Sequence, residues 1–227
     1  MKRPIVRWVL GGVVVLAVVV VAYLYFAGGT GEPSTELTTP TLAAAEDGMV
    51  AFVIDATRSS AAFEIDEVLR GEPQRVVGTT SELAGQFEMD PDDLSSVEFS
   101  QIVVNARTFD TGSGNRDRAI RGPVILDSAS DEFEFITFDA TSVEGLQGSL
   151  TEGELFEFTV DGDLTIRDTV NTVTFDVTAT PIDEDTIDGS AEATVLRSDY
   201  GIGIPNAPGV ADVSDEVLIR LEFVATS

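Results

Sequence analysis

The chain has 227 residues, enough for one sizeable domain beside a membrane segment and too few for two. It contains neither Cys nor His, which removes disulfides, thiolate chemistry, the usual zinc and copper ligands and the commonest general base. Its formal net charge is −27, a balance that repels phosphate backbones, so no nucleic acid is expected as a partner.

In chain order, the first predicted element is an anchor. Residues 8–27 read WVLGGVVVLAVVVVAYLYFA without a charge. As a helix they span about 30 Å, one hydrocarbon core. Lys2, Arg3 and Arg7 precede this stretch, and every acidic residue follows it, from Glu32 onward. The positive-inside rule then puts the N-terminus in the cytoplasm and the rest outside, in a single-pass cell-membrane protein. The rival is a cleaved signal peptide, whose apolar core is usually only ~7–15 residues long. Tyr25-Phe26-Ala27 makes a poor cleavage site, so residues 1–27 are read as a cytoplasmic tip and transmembrane anchor. Residues 28–48 are rich in Gly, Pro, Ser and Thr and lack periodicity, which predicts a flexible linker. Past the anchor, ten arginines stand against forty acidic residues, a net of −30 that suits solubility in a salty setting.

From residue 49 to 227 the dominant period is two. Phe156, Phe158, Val160, Gly162, Leu164 and Ile166 alternate with polar partners. Val173, Phe175, Val177 and Ala179 do the same, and so do Val217, Ile219, Leu221, Phe223 and Ala225. Such runs are strands with one face buried and one wet. Weaker runs fall at 49–56, 61–69, 75–80, 83–89, 97–106, 133–143 and 186–197. In 133–143 the phase slips between Phe135 and Ile136, which predicts a bulge. One helix is predicted, over 115–121 (NRDRAIR), inside a long connection. Eight to ten antiparallel strands imply a barrel or a sandwich, and composition alone favours a sandwich with a solid Phe core.

No motif for catalysis emerges. There is no G-x-S-x-G elbow, and without His no Ser-His-Asp triad can form, so no catalytic residue and no enzyme activity are assigned. Asp90-Pro91-Asp92-Asp93 and Asp183-Glu184-Asp185 lack calcium-loop spacing and read as acidic turns, so no metal or other cofactor is expected. Gly78, Gly85 and Gly162 in or beside strands predict bulges, bends or close backbone approach. Arg116, Asp117, Arg118 and Arg121 form a cationic cluster: either a clamp at a cavity mouth or a local Arg–Asp pairing that orders the loop.

Taken together, DATRSSAAF (55–63), VGTT (77–80) leading to Gly85, NARTFDT (105–111), NRDRAIR (115–121), FITF (135–138), VDGDLTI (160–166) and RSDYG (197–201) resemble the YceI-like family of bacterial extracytoplasmic proteins. The likeness covers nearly all of 49–227. It implies an antiparallel, lipocalin-like eight-stranded barrel with one short helix, whose pocket holds a polyisoprenoid such as a quinone or prenyl phosphate. It reverses the preference for a solid core. The family's His before Ser59 is Arg58 here, its Tyr-Pro is Phe133-Glu134, and its Gly after Leu-Thr-Ile is replaced around Asp168.

On this reading the chain is a membrane-tethered binding protein for a long apolar lipid. Strand phase nominates Phe63, Phe156, Phe158 and Val160 as apolar lining, together with Phe175, Ile219, Leu221 and Phe223. Arg116 and Arg121 are nominated at the mouth. The alternative is a non-catalytic interaction domain with a solid core. The sequence leaves the lipid's identity and the oligomeric state open.

Overall fold

Each run of alternating side chains becomes a paired strand, because only pairing satisfies the backbone while one face is buried. The structure, a computed structural model, describes residues 28–42, 48–205 and 207–227. The proposed anchor at 8–27 and linker residues 43–47 lie outside this set. Among the described residues no helix is long and apolar enough to cross a membrane.

The strands are β1 (Val50–Ile54), β2 (Ser60–Leu69), β3 (Glu72–Thr80), β4 (Leu83–Ala84), β5 (Gln86–Asp90), β6 (Asp93–Phe99) and β7 (Ile102–Asn105). A long connection carrying helix α1 (Gly114–Arg121) leads to β8 (Phe135–Glu144) and β9 (Phe156–Ile166). There follow β10 (Thr169–Asp183), β11 (Thr186–Leu196), β12 (Val210–Ala211) and β13 (Glu216–Thr226). All pairings are antiparallel, in the order β4-β7-β8-β9-β10-β11-β13-β1-β5-β6, with β2 joining β13 to β3. Only Gly85 separates β4 from β5, and only Ser100 and Gln101 separate β6 from β7. The two ends of the order therefore belong to the same two stretches of chain, and the sheet is curled on itself.

The expected eight to ten strands are thirteen segments, because three long strands break where they bend. β13 shows how. Its first half pairs with β2 through Val217–Ile65 to Glu222–Ser60, and its end pairs with β1 through Ala225–Ile54 and Thr226–Val53. Residues 55–59 make the corner, with Ser59 bridging to the Val224 backbone. The long hairpin β9–β10 turns on Arg167 and Asp168, with Arg167 at φ 58°. This left-handed position suits glycine, the residue whose replacement around Asp168 the sequence flagged.

The bulge expected between Phe135 and Ile136 lies further on. Phe133 belongs to a 3-10 turn (Asp131–Phe133) rather than to the strand, and the register shift against β9 falls between Ala140 and Ser142. The two acidic clusters close the β5–β6 and β10–β11 hairpins, where Asp90 accepts from the Asp92 N–H and Asp183 from the Asp185 N–H. No group of three or more acidic side chains is placed to hold a metal among the described residues.

The first part of the expected flexible linker is docked. Gly28 is buried, and its carbonyl accepts from Arg121 Nε at 2.8 Å. Ser34 donates to the Glu134 carboxylate from both its backbone and its hydroxyl. This strap lies along the connection that carries α1.

Candidate functional site

The inward face of the sheet encloses a cavity of about 780 Å³. Strand β9 lines it from Phe156 to Ile166, ten steps of ~3.3–3.4 Å or about 33 Å of strand, so the space is long rather than round. Phe63 on β2, Phe156, Phe158 and Val160 on β9, and Phe175 on β10 all lie on the wall. So do Ile219, Leu221 and Phe223 on β13. The eight apolar residues nominated from strand phase are thus brought together around one space.

The Phe rings leave that space open because several lie flat along the wall. Phe63 faces Gly78 across the β2–β3 ladder, and its ring covers the glycine so closely that a β-carbon would overlap it. Phe223 covers Gly189 opposite it on β11 in the same way, and Phe138, paired with Leu164, covers Gly162 two residues along β9. A glycine removes the side chain from one wall position and lets a neighbour's ring fold down into it. Phe63 is held there by an edge-on contact with Phe109, ring centroids 5.2 Å apart. The solid Phe core that composition favoured is therefore replaced by a lined lumen.

One end is floored. Phe52, Phe87, Met89, Leu94, Leu146, Ile187 and Ala225 form a buried cluster there. The loop between β8 and β9 seals it through Leu94 N–H to Gly148 O, Leu150 N–H to Pro91 O and Gly153 N–H to Pro181 O. The other end is the mouth. Wall residues that are also solvent-exposed are Asn115 and Ala119 on α1 and Ala207 and Pro208 on the facing loop. This loop, residues 201–215, is pinned to β2 by the Val210–Leu69 pairing and by the Arg70 N–H to Gly209 O bond.

The wall turns polar at the mouth, where Glu67, Ser113, Asn115, Arg116 and Arg197 contribute. Arg116 pairs with Glu67 at 3.2 Å, and the two side chains are 26% and 9% exposed. Asp117 accepts from the Thr111 N–H and hydroxyl, and its charge also attracts Arg121. Arg121, the other nominated mouth residue, stands off the wall with its Nε on the Gly28 carbonyl. Burial, larger than the attraction of Asp117, pushes its guanidinium below the ordinary value, and Arg118 adds to the fall.

A buried polar knot holds the α1 connection in place. Arg107 donates through Nε to Ser128 O at 2.7 Å and through Nη2 to Asp131 at 2.8 Å, and lies 3.3 Å from Glu134. Glu134 is fully buried and also accepts from Asn105 Nδ2 at 2.8 Å. Burial alone would push its pKa up, but bonds from Ser34 and Asn105 and the Arg107 charge outweigh it, and the carboxyl sits below its usual range.

Sequence reasoning missed the mouth loop. Ile202, Ile204, Pro205, Ala207, Pro208 and Val210 all line the cavity. The available signal was the twelve residues from Tyr200 to Ala211, charge-free in a chain of net charge −27.

A curled antiparallel sheet around a long apolar cavity, with one helix at its mouth, is the lipocalin-like class of β protein. Residues 52–225 match the YceI-like domain, and the chain belongs to that family. It is 28% identical over 165 residues to the UPF0312 protein SA2479 of Staphylococcus aureus strain N315, covering 70% of this chain and 86% of that protein. Among solved structures it is similar to BcnA of Burkholderia cenocepacia, with TM-score 0.60, 22% identity, and 76% of this chain and 99% of that one covered. It is also similar to a polyisoprenoid binding domain from Saccharophagus degradans implicated in plant cell wall breakdown. There the TM-score is 0.59 at 13% identity, with 78% of this chain and 98% of that one covered. At these identities the solved structures share the fold.

Proposed function

We propose that this protein is a membrane-tethered, extracytoplasmic carrier of a long isoprenoid-type lipid, a quinone or prenyl phosphate, held in an eight-stranded barrel. The observation that carries the reading is the cavity: about 780 Å³, walled by Phe, Val, Leu and Ile along the full length of β9. Its volume lies within the ~300–1,000 Å³ range of ligand pockets, but its length suits an extended chain rather than a compact molecule. The eight strands are the thirteen segments with the bent β1–β2, β3–β5 and β6–β7 each counted once and β12 left aside. The polyisoprenoid binding domain of similar fold supports the class of ligand.

Binding needs no catalytic group. Covering ~400 Å² of tail at about 25 cal/mol per Å² yields a gross gain near ~10 kcal/mol, from which association and ordering costs are subtracted. The wall carries the paired Arg116 and Glu67 at the mouth, where a polar headgroup would sit once the tail is inside. The tether is residues 8–27, charge-free and followed by the acidic domain.

Organic extraction of the full chain purified from membranes, followed by mass spectrometry, tests this. A prenyl lipid is expected in near-stoichiometric amount, reduced in the Ala191→Phe variant, which projects a ring from the wall into the lumen. Equal lipid content in both proteins, or none in either, overturns the reading.

A further inference from the structure

We infer that the mouth of the cavity is a bilayer-docking surface: α1 and the 201–211 loop sit against the lipid surface, so a tail passes between membrane and lumen without crossing water. This rests on the tether proposed above, and adds where the domain sits on it. Three observations meet at one end of the molecule.

The first is where the tether arrives. The charge-free stretch ends at Ala27, and the next residue, Gly28, is already buried against the backbone of Arg118, with its carbonyl on Arg121 Nε. No slack separates the end of the apolar stretch from α1. Ser34, further along the strap, is fastened to Glu134. The same eight-residue helix, about 12 Å long, presents Asn115 and Ala119 at the mouth. A chain that leaves the bilayer at Gly28 therefore holds the mouth within about one short helix length of the headgroups.

The second is what the mouth is made of. The loop opposite α1 has no charge from Tyr200 to Ala211, and Ala207 and Pro208 are exposed as well as lining the cavity. Val124, 38% exposed, lies beside Gly203 of that loop. The apolar wall thus runs out onto the surface through Ala207 and Pro208, while the guanidinium of Arg197, the polar wall residue on this side, is held by the Ile202 and Ser214 carbonyls of the loop. An exposed apolar rim continuous with a lipid-sized cavity is matched by acyl chains.

The third is charge. The domain is strongly acidic, yet α1 carries Arg116, Arg118 and Arg121 against the single Asp117. With Glu67, the partner of Arg116, counted beside Asp117, one net positive charge remains next to an uncharged loop, whereas the opposite end carries the acidic turns at 90–93 and 183–185.

The chain has no Cys, so a single introduced cysteine takes a fluorophore uniquely. The full chain, labelled at Ala207→Cys or at Glu184→Cys on the far hairpin, is reconstituted into phosphatidylcholine vesicles that contain nitroxide-headgroup lipid. Both positions are exposed, so labelling leaves the core untouched. Flotation with the vesicles and several-fold stronger quenching at Ala207 than at Glu184 are expected. Flotation with equal quenching at the two positions overturns the docking surface and leaves the tether standing. Failure to float overturns both.

Discussion

A phenylalanine on the inner face of a curled sheet can point its ring at the centre or lay it along the wall, and the neighbouring strand decides which, through a residue opposite or diagonal to the ring. Phe63, Phe138 and Phe223 lie over Gly78, Gly162 and Gly189. At Gly78 the three atoms nearest an added methyl all belong to the Phe63 ring, whereas at Gly162 and Gly189 one of them is a backbone oxygen. Gly78→Ala is therefore expected to swing Phe63 into the lumen and weaken lipid binding, at about 1 kcal/mol in stability. Gly189→Ala is expected to cost more, about 2–3 kcal/mol, and the pair is compared by urea denaturation and lipid titration. At the same scale, Glu134 titrates lower in the folded chain than in the unfolded one. Its network stabilises the fold above the ordinary carboxylate range, and that contribution is lost as pH falls through the depressed folded value. Glu134→Gln is expected to flatten the acid limb of the stability–pH curve. Glu134→Ala, which leaves buried Arg107 short of a partner, is expected to cost about 3–5 kcal/mol in chemical denaturation.

Elements carry the acidity. Antiparallel register sets Asp139 opposite Asp163, Asp176 opposite Glu192 and Glu88 opposite Glu98. Like charges directly across a ladder destabilise it by roughly 0.2–1 kcal/mol each. Local partners offset part of this: Gln101 donates to Asp139, Thr172 to Asp163, and Arg220 bridges Glu64 and Glu192. The remainder is screened by salt, whose Debye length falls from about 10 Å at 0.1 M to about 3 Å at 1 M. The melting temperature is therefore expected to rise with NaCl across that range, and Asp163→Asn is expected to reduce the slope. A melting temperature independent of salt would show that the outer carboxylates are already compensated.

For the whole molecule the decisive property is that the sheet encloses space. Ala191 on β11 lines the cavity, and replacing it by Phe distinguishes a lined lumen from a solid core. In a packed interior the extra ring costs about 1–3 kcal/mol. Here it is expected to enter the lumen with little effect on melting and a large loss of lipid binding. The native chain with a prenyl ligand at 100 times its Kd is expected to gain about 2.7 kcal/mol. For a domain of this size that is a melting-temperature rise of roughly 5–11 °C, absent in Ala191→Phe.

Strand content, the one short helix and the eight wall residues were legible in the sequence, because a period of two is a local property and each side chain's face follows from its own strand. The RSDYG turn and the arginine helix were legible as motifs, and their family resemblance held across residues 52–225. Whether the inward phenylalanines meet was not legible, because it depends on glycines that come opposite only once strands are paired, as Gly189 does with Phe223 over thirty residues later. Nor was the mouth, which α1 and the 201–211 loop form from segments some ninety residues apart. The docking of Gly28 and Ser34 was hidden for the same reason: Arg121 and Glu134 lie about a hundred residues away, and no local pattern records that distant contact. Periodicity told each strand which way to face; only closing the sheet decided what those faces would surround.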